Sequence, residues 1–131
     1  MKVQLTPEES ESHFFDALCN GLQEMQYYGL ELQYNDEDYE SAKESVINRL
    51  GSNHVICYED VLMEILKIGK SLSLADLEGG EDTRFITLKE VHERVSNTPI
   101  RHLMDAINEN GDAVTADVII QTVFLNDVIY G

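Results

Sequence analysis

Nine lysines and arginines are few for 131 residues, and twenty-five aspartates and glutamates outnumber them. The formal net charge is −16 with histidine neutral. Phosphate backbones and anionic lipid heads are held through cations, so a body this short of them repels both. Neither direct nucleic-acid binding nor membrane binding is expected. Long apolar runs are missing too: none approaches the ~18 residues of a membrane span. The opening Met1-Lys2-Val3-Gln4-Leu5 has one lysine and no apolar stretch behind it, unlike a signal peptide. Cysteine occurs twice, at Cys19 and Cys57, without the CxxC spacing of a zinc site. Both fall in apolar segments, so the expectation is buried structural thiols in a cytoplasmic protein. Only two prolines beside a 43% apolar share exclude a collagen-like or largely disordered chain.

What is present suits one globular domain over residues 1–131, long enough for a core without metals or disulfides. The acidity has no single home. It amounts to −8 over residues 1–50, −4 over 51–100 and −4 over 101–131. The charge therefore belongs to the folded body rather than to a tail.

Helix signals recur along the chain. Thr6-Pro7-Glu8-Glu9 is a capping box with proline at N1. Phe14, Leu18, Leu22 and Met25 follow at helical spacing, and Gly29 closes the segment. Leu30-Glu31-Leu32-Gln33-Tyr34 alternates like a short strand. Asn35 to Asp38 supplies a cap and three acids at a second helix start. Tyr39, Ala42, Val46, Ile47 and Leu50 form its inner stripe, up to Gly51. A third helix runs from about Glu59 to Ile68, with Val61, Leu62, Ile65, Leu66 and Ile68 facing inward. Between residues 71 and 88, two strand-like runs flank Glu78-Gly79-Gly80-Glu81-Asp82, which predicts a β-hairpin.

Thr87-Leu88-Lys89-Glu90 is a second capping box, and Thr98-Pro99 repeats the cap-and-proline signal before a helix that Gly111 closes. Thr115 with Asp117 caps a last segment, Val118 to Tyr130, whose apolar residues cover most of its circumference. Such a helix is buried in the core or in a dimer seam with a second copy. The fold class expected is mainly α: about six helices with a small hairpin near residues 71–88.

No motif declares a chemistry. The segments around Val95 and Pro99 have helix-turn-helix spacing, but the second helix offers Arg101 and His102 beside Asp105 and Glu109, a poor set for reading DNA. His13–Asp16 and His102–Asp105 each put histidine and aspartate on one helical face, without the HExxH or Glu-x-x-His arrangements of metal sites. Asn108 to Asp112 resembles the start of a calcium loop, yet Ala113 and Ile119 occupy the places of its glycine and its bidentate glutamate. GxSxG, Walker A and GxGxxG are lacking. No cofactor, metal or catalytic residue is therefore assigned.

The expectation is a non-catalytic acidic protein that binds another protein, one with a basic surface. Glu31, Asp36, Glu37, Asp38 and Glu40 are the expected partner-binding residues. In its sharpest form the carboxylates imitate a nucleic-acid backbone, which motivates comparison with phage or mobile-element inhibitors. The alternatives are an enzyme whose site is assembled from dispersed His, Asp and Glu residues, and a degenerate helix-turn-helix regulator.

Overall fold

A computed structural model describes residues 3–51, 53–78 and 84–130. Among these described residues, six helices and a three-stranded antiparallel sheet make one mainly α domain. In chain order they are α1 (Pro7–Tyr27), β1 (Leu30–Gln33), α2 (Asp36–Leu50), α3 (Tyr58–Lys67), β2 (Leu72–Asp76), β3 (Arg84–Ile86), α4 (Leu88–Arg94), α5 (Ile100–Ile107) and α6 (Ala113–Leu125). A single 3-10 turn, Val95–Asn97, joins α4 to the approach of α5.

The first two helix starts follow the capping chemistry. Thr6 Oγ1 accepts from the Glu9 amide at 3.1 Å, and Glu9 returns an oxygen to the Thr6 amide at 2.9 Å. Asn35 Oδ1 accepts from the amides of Glu37 and Asp38 at 2.8 and 3.2 Å. Between these helices Gly29 turns the chain at φ +74°, a conformation that glycine adopts without strain.

The two strands of the expected hairpin pair antiparallel as β2 and β3, and residues 79–82 of the expected turn cluster lie outside the described residues. The strand-like run before α2 completes the sheet as β1, giving the order β1-β2-β3. Leu32 pairs with Leu74, and Leu72 with Ile86. Period-two alternation therefore puts Leu30, Leu32, Leu72, Leu74 and Ile86 on the core face.

At the centre lies α6, where every residue from Thr115 to Phe124 is buried. Its main partner is α1, with further packing on α4, α5 and β3. The two central helices meet closely at Gly21. A Cβ there would lie 2.9 Å from both Ala116 Cβ and Ile120 Cδ1. Phe14 and Phe124 pack with ring centroids 6.0 Å apart. The chain thus covers both sides of α6 itself, and the helix leaves no apolar face that a second copy would have to cover.

Several local expectations change. The α6 cap is Asp112, whose Oδ1 accepts from the Thr115 amide at 3.0 Å, so the helix starts before Val118. It ends at Leu125 because Asn126 takes a left-handed conformation, which leaves Val128 and Ile129 exposed beyond it. Cys19 and Cys57 are exposed, not buried: the inner face of α1 runs through Phe14, Ala17, Leu18, Gly21 and Met25, and Cys57 caps α3. Leu50 and Ile68, expected to face inward, are exposed at helix ends; of the apolar residues expected to pack the helix after Pro99, Ile100 and Met104 are exposed and Leu103 is buried. At α4 the Thr87 hydroxyl donates to the Glu90 carboxylate and caps no amide. Pro99, rather than Thr98, is the N-cap of α5, and Glu109, not Gly111, takes the positive φ that follows the helix.

Candidate protein-interaction surface

Four of the five carboxylates expected to bind a partner occupy the first turns of α2. Asp36, Glu37 and Glu40 are exposed, and Asp38 is half-buried. Asp36 and Glu40 are four residues apart, which puts them on one helical face. Their place has a local cause: the amides at a helix start carry partial positive charge and favour carboxylates. Among the described residues, ion pairs engage Glu11, Glu64 and Glu93, and none engages this cluster. Its charge therefore faces water without a neutralising side chain.

Glu31 stands apart from these four. It lies exposed on β1 and lines a groove of about 500 Å³ with Leu22, Met25, Gln26, Leu32, Tyr58 and Leu77. A hollow of about 260 Å³ on the other side of Tyr34 is lined by Asp38, Gln33, Ser73 and Phe85. Tyr34 borders both, and so links the Glu31 groove to the α2 acids.

Three tyrosines organise this border. Tyr34 stacks on Tyr39 with centroids 5.1 Å apart, and Tyr58 tilts against both. The Tyr58 hydroxyl donates to that of Tyr34 at 3.2 Å. Partial burial, that hydrogen bond and the nearby Tyr34, Tyr39 and Glu59 hold the Tyr58 hydroxyl well above its ordinary pKa. Tyrosine rings offer apolar area with a polar tip, a combination favoured at protein interfaces. Sequence reasoning assigned Tyr39 to a core stripe and gave Tyr34 and Tyr58 no role. Their spacing along the chain carried no signal, because β1, α2 and α3 meet only in the fold.

The groove continues past Tyr58 into a depression lined by Leu18, Cys19, Gln23, Gln26 and Glu59. Although Cys19 is exposed overall, partial desolvation of its thiol and then the carboxylates of Glu59, Asp16 and Asp60 push its pKa up to about 11. That shift makes Cys19 a poor nucleophile. No lysine or arginine lines either stretch.

The other constellations do not converge. His13 and Asp16 line a separate cavity with Glu109, Asp112 and Thr115, but its volume of about 210 Å³ is below the usual range of ~300–1,000 Å³ for small-molecule sites. The Nδ1 atom of His102 is buried and makes no hydrogen bond among the described residues, so it does not pair with Asp105. A histidine–carboxylate pair does form, between His92 Nε2 and Glu11 at 2.8 Å, where α4 meets α1. Among the described residues no three His, Cys, Asp or Glu side chains are grouped to hold a metal ion. No helix among them is long and apolar enough to cross a membrane.

Comparison with protein-family models, with curated proteins and with solved structures finds no match, so the functional reading rests on the geometry.

Proposed function

We propose that this protein acts by binding a protein with a basic surface, and that the acidic face around Tyr34 is where that partner docks. The observation that carries the reading is the unneutralised cluster Asp36, Glu37, Asp38 and Glu40 beside a tyrosine-rich groove edged by Glu31. Charge of one sign attracts and orients a cationic partner at long range. The aromatic border supplies area that leaves water on contact, which charge alone does not. In its sharper form, the partner's basic groove is one that normally holds nucleic acid, and the carboxylates take the place of phosphates.

Affinity capture with the full chain, followed by kinetics on the purified partner, tests this. The partner is expected to be basic, and association should slow about tenfold or more as salt rises, as for electrostatically steered pairs. A variant with Asp36→Asn, Glu37→Gln, Asp38→Asn and Glu40→Gln should associate more slowly while keeping its fold. Amides are preferable to lysines here, because cations in the first turn of α2 would oppose the helix dipole. A neutral partner, indifferent to salt and to the amides, would overturn the reading. If nucleic acid fails to compete for a basic partner, the mimicry form falls and the broader one stands.

A further inference from the structure

Among the described residues no strand pairs with the outer edge of β1. The strand order is β1-β2-β3, so β1 pairs on one side only. The Leu77 amide donates to the Gly29 carbonyl at 2.9 Å, and Leu30 is paired with Asp76. In an antiparallel ladder the bonded pairs alternate. Gly29, Glu31 and Gln33 therefore turn their backbone groups toward β2, whereas Leu30 and Leu32 turn theirs away. Those two amides and two carbonyls face outward, and among the described residues no backbone partner meets them. The groove that contains Glu31 is lined by Leu30, Glu31 and Leu32 of this strand together with Leu22, Met25 and Gln26 of α1.

Resting on the reading of a basic partner, we propose that this edge takes up an extended segment of that partner as a fourth strand. Alternation fixes the chemistry of the segment. Residues beside Leu30 and Leu32 fall on the inner face, toward Leu22 and Met25, and should be apolar. Residues beside Glu31 and Gln33 fall on the outer face, where Glu31 favours lysine or arginine. The absence of cations from the lining, with Glu59 beside Cys19 at the far end, matches such a segment over its length. An edge strand invites pairing, and a charged residue on it discourages unwanted partners. Glu31 serves here as a filter that admits only a cationic strand.

The test uses the full chain and a fluorescent octapeptide of alternating lysine and valine. Anisotropy measures its binding, and amide hydrogen exchange locates it. Binding should slow exchange at Leu30 and Leu32 by about tenfold or more, as closed backbone bonds do. N-methylating the peptide along one edge removes its donors and should weaken binding about fivefold or more. These changes lie in the probe, so the protein's folding is not at issue. Glu31→Gln should weaken the lysine peptide while leaving a serine-for-lysine peptide unaffected. If the lysine peptide binds but slows exchange only at the start of α2, strand addition is overturned and the basic-partner reading survives. Equal affinity for a glutamate-for-lysine peptide would overturn both. Failure of the lysine peptide to bind would overturn strand addition, and the captured partner would then judge the broader reading separately.

Discussion

Tyr28, just past the end of α1, donates a 2.5 Å hydrogen bond to Asp117 in the central helix α6. Asp117 also accepts from Gln121 Nε2 at 2.7 Å, and Gln121 accepts from the amides of Ile129 and Tyr130 at 2.9 and 2.8 Å. Tyr130 then stacks on Tyr28, with centroids 5.2 Å apart. A closed loop of contacts thus ties the C-terminal segment to the junction of α1 and α6. It also explains how a central helix accommodates a buried carboxylate and a buried amide: their hydrogen bonds offset the loss of water.

Gln121→Leu keeps the volume but removes every bond to the C-terminal segment. Two amides, the Tyr130 carbonyl and the Asp117 carboxylate lose a partner. Asp117 keeps Tyr28 and Ile129 is exposed, so the cost should be about 2–4 kcal/mol, less than the full ~1–3 kcal/mol for every group left unpaired in a core. Urea denaturation measures it. Faster amide exchange at Ile129 and Tyr130, without change in α2, would assign the loss to this clasp.

The Tyr28 hydroxyl has a pKa pushed up to about 12 by its hydrogen bond to Asp117, then by burial and by the charges of Asp117 and Glu24. The raised value means the contribution is complete below pH ~10, the ordinary tyrosine value. It is lost as pH rises through about 12. Tyr28→Phe should flatten that part of the stability profile. The difference between wild type and variant is the useful quantity, because Tyr58 and Tyr39 are also raised. Parallel profiles would show that the hydrogen bond adds no stability.

Glu64 gives the opposite slope. Burial alone would raise its pKa, but hydrogen bonds from Ser45 and Arg49 and the Arg49 charge hold it below the ordinary glutamate value. Its stabilisation is present above pH ~4.5 and lost as pH falls through the lowered value. Arg49→Met should remove much of this acid sensitivity and weaken the α2–α3 contact. Thermal melts between pH 3 and 7 read the effect.

Phe124→Ala should cost about 3–5 kcal/mol, the range for a fully buried aromatic residue. Leu125→Ala should cost clearly less, because Leu125 is half-buried at the end of α6. Equal losses would contradict the orientation of this helix.

Thr6→Ala should cost about 1 kcal/mol through its lost cap. Thr87→Ala should stay within ~0.5 kcal/mol, since the Thr87 hydroxyl meets a side chain at the surface. Denaturation midpoints separate the two.

Local chemistry determined much of this protein before any tertiary contact. The capping box at Thr6, the Asn35 cap with its acids, the glycine after α1 and the alternation of the hairpin all act within a few residues. Backbone hydrogen bonds and dihedral limits operate over that range, so these signals were legible. The apolar circumference of α6 likewise announced burial.

Other features depended on which distant segments met. The partner for β1 is β2, where Leu30 meets Asp76 and Gln33 meets Ser73, and nothing in Leu30 to Gln33 names it. Gly21 reads as a weak spot in a helix until α6 approaches it. Asp117 reads as part of a helix cap, and the bonds that it and Gln121 make appear only once Tyr28 and the C-terminal backbone reach them. The tyrosine border follows the same rule, since Tyr34 and Tyr58 come from different elements. Charge was legible because it adds along any chain. The groove and the open edge beside it were not, because concavity and strand partnership exist only once the elements have packed.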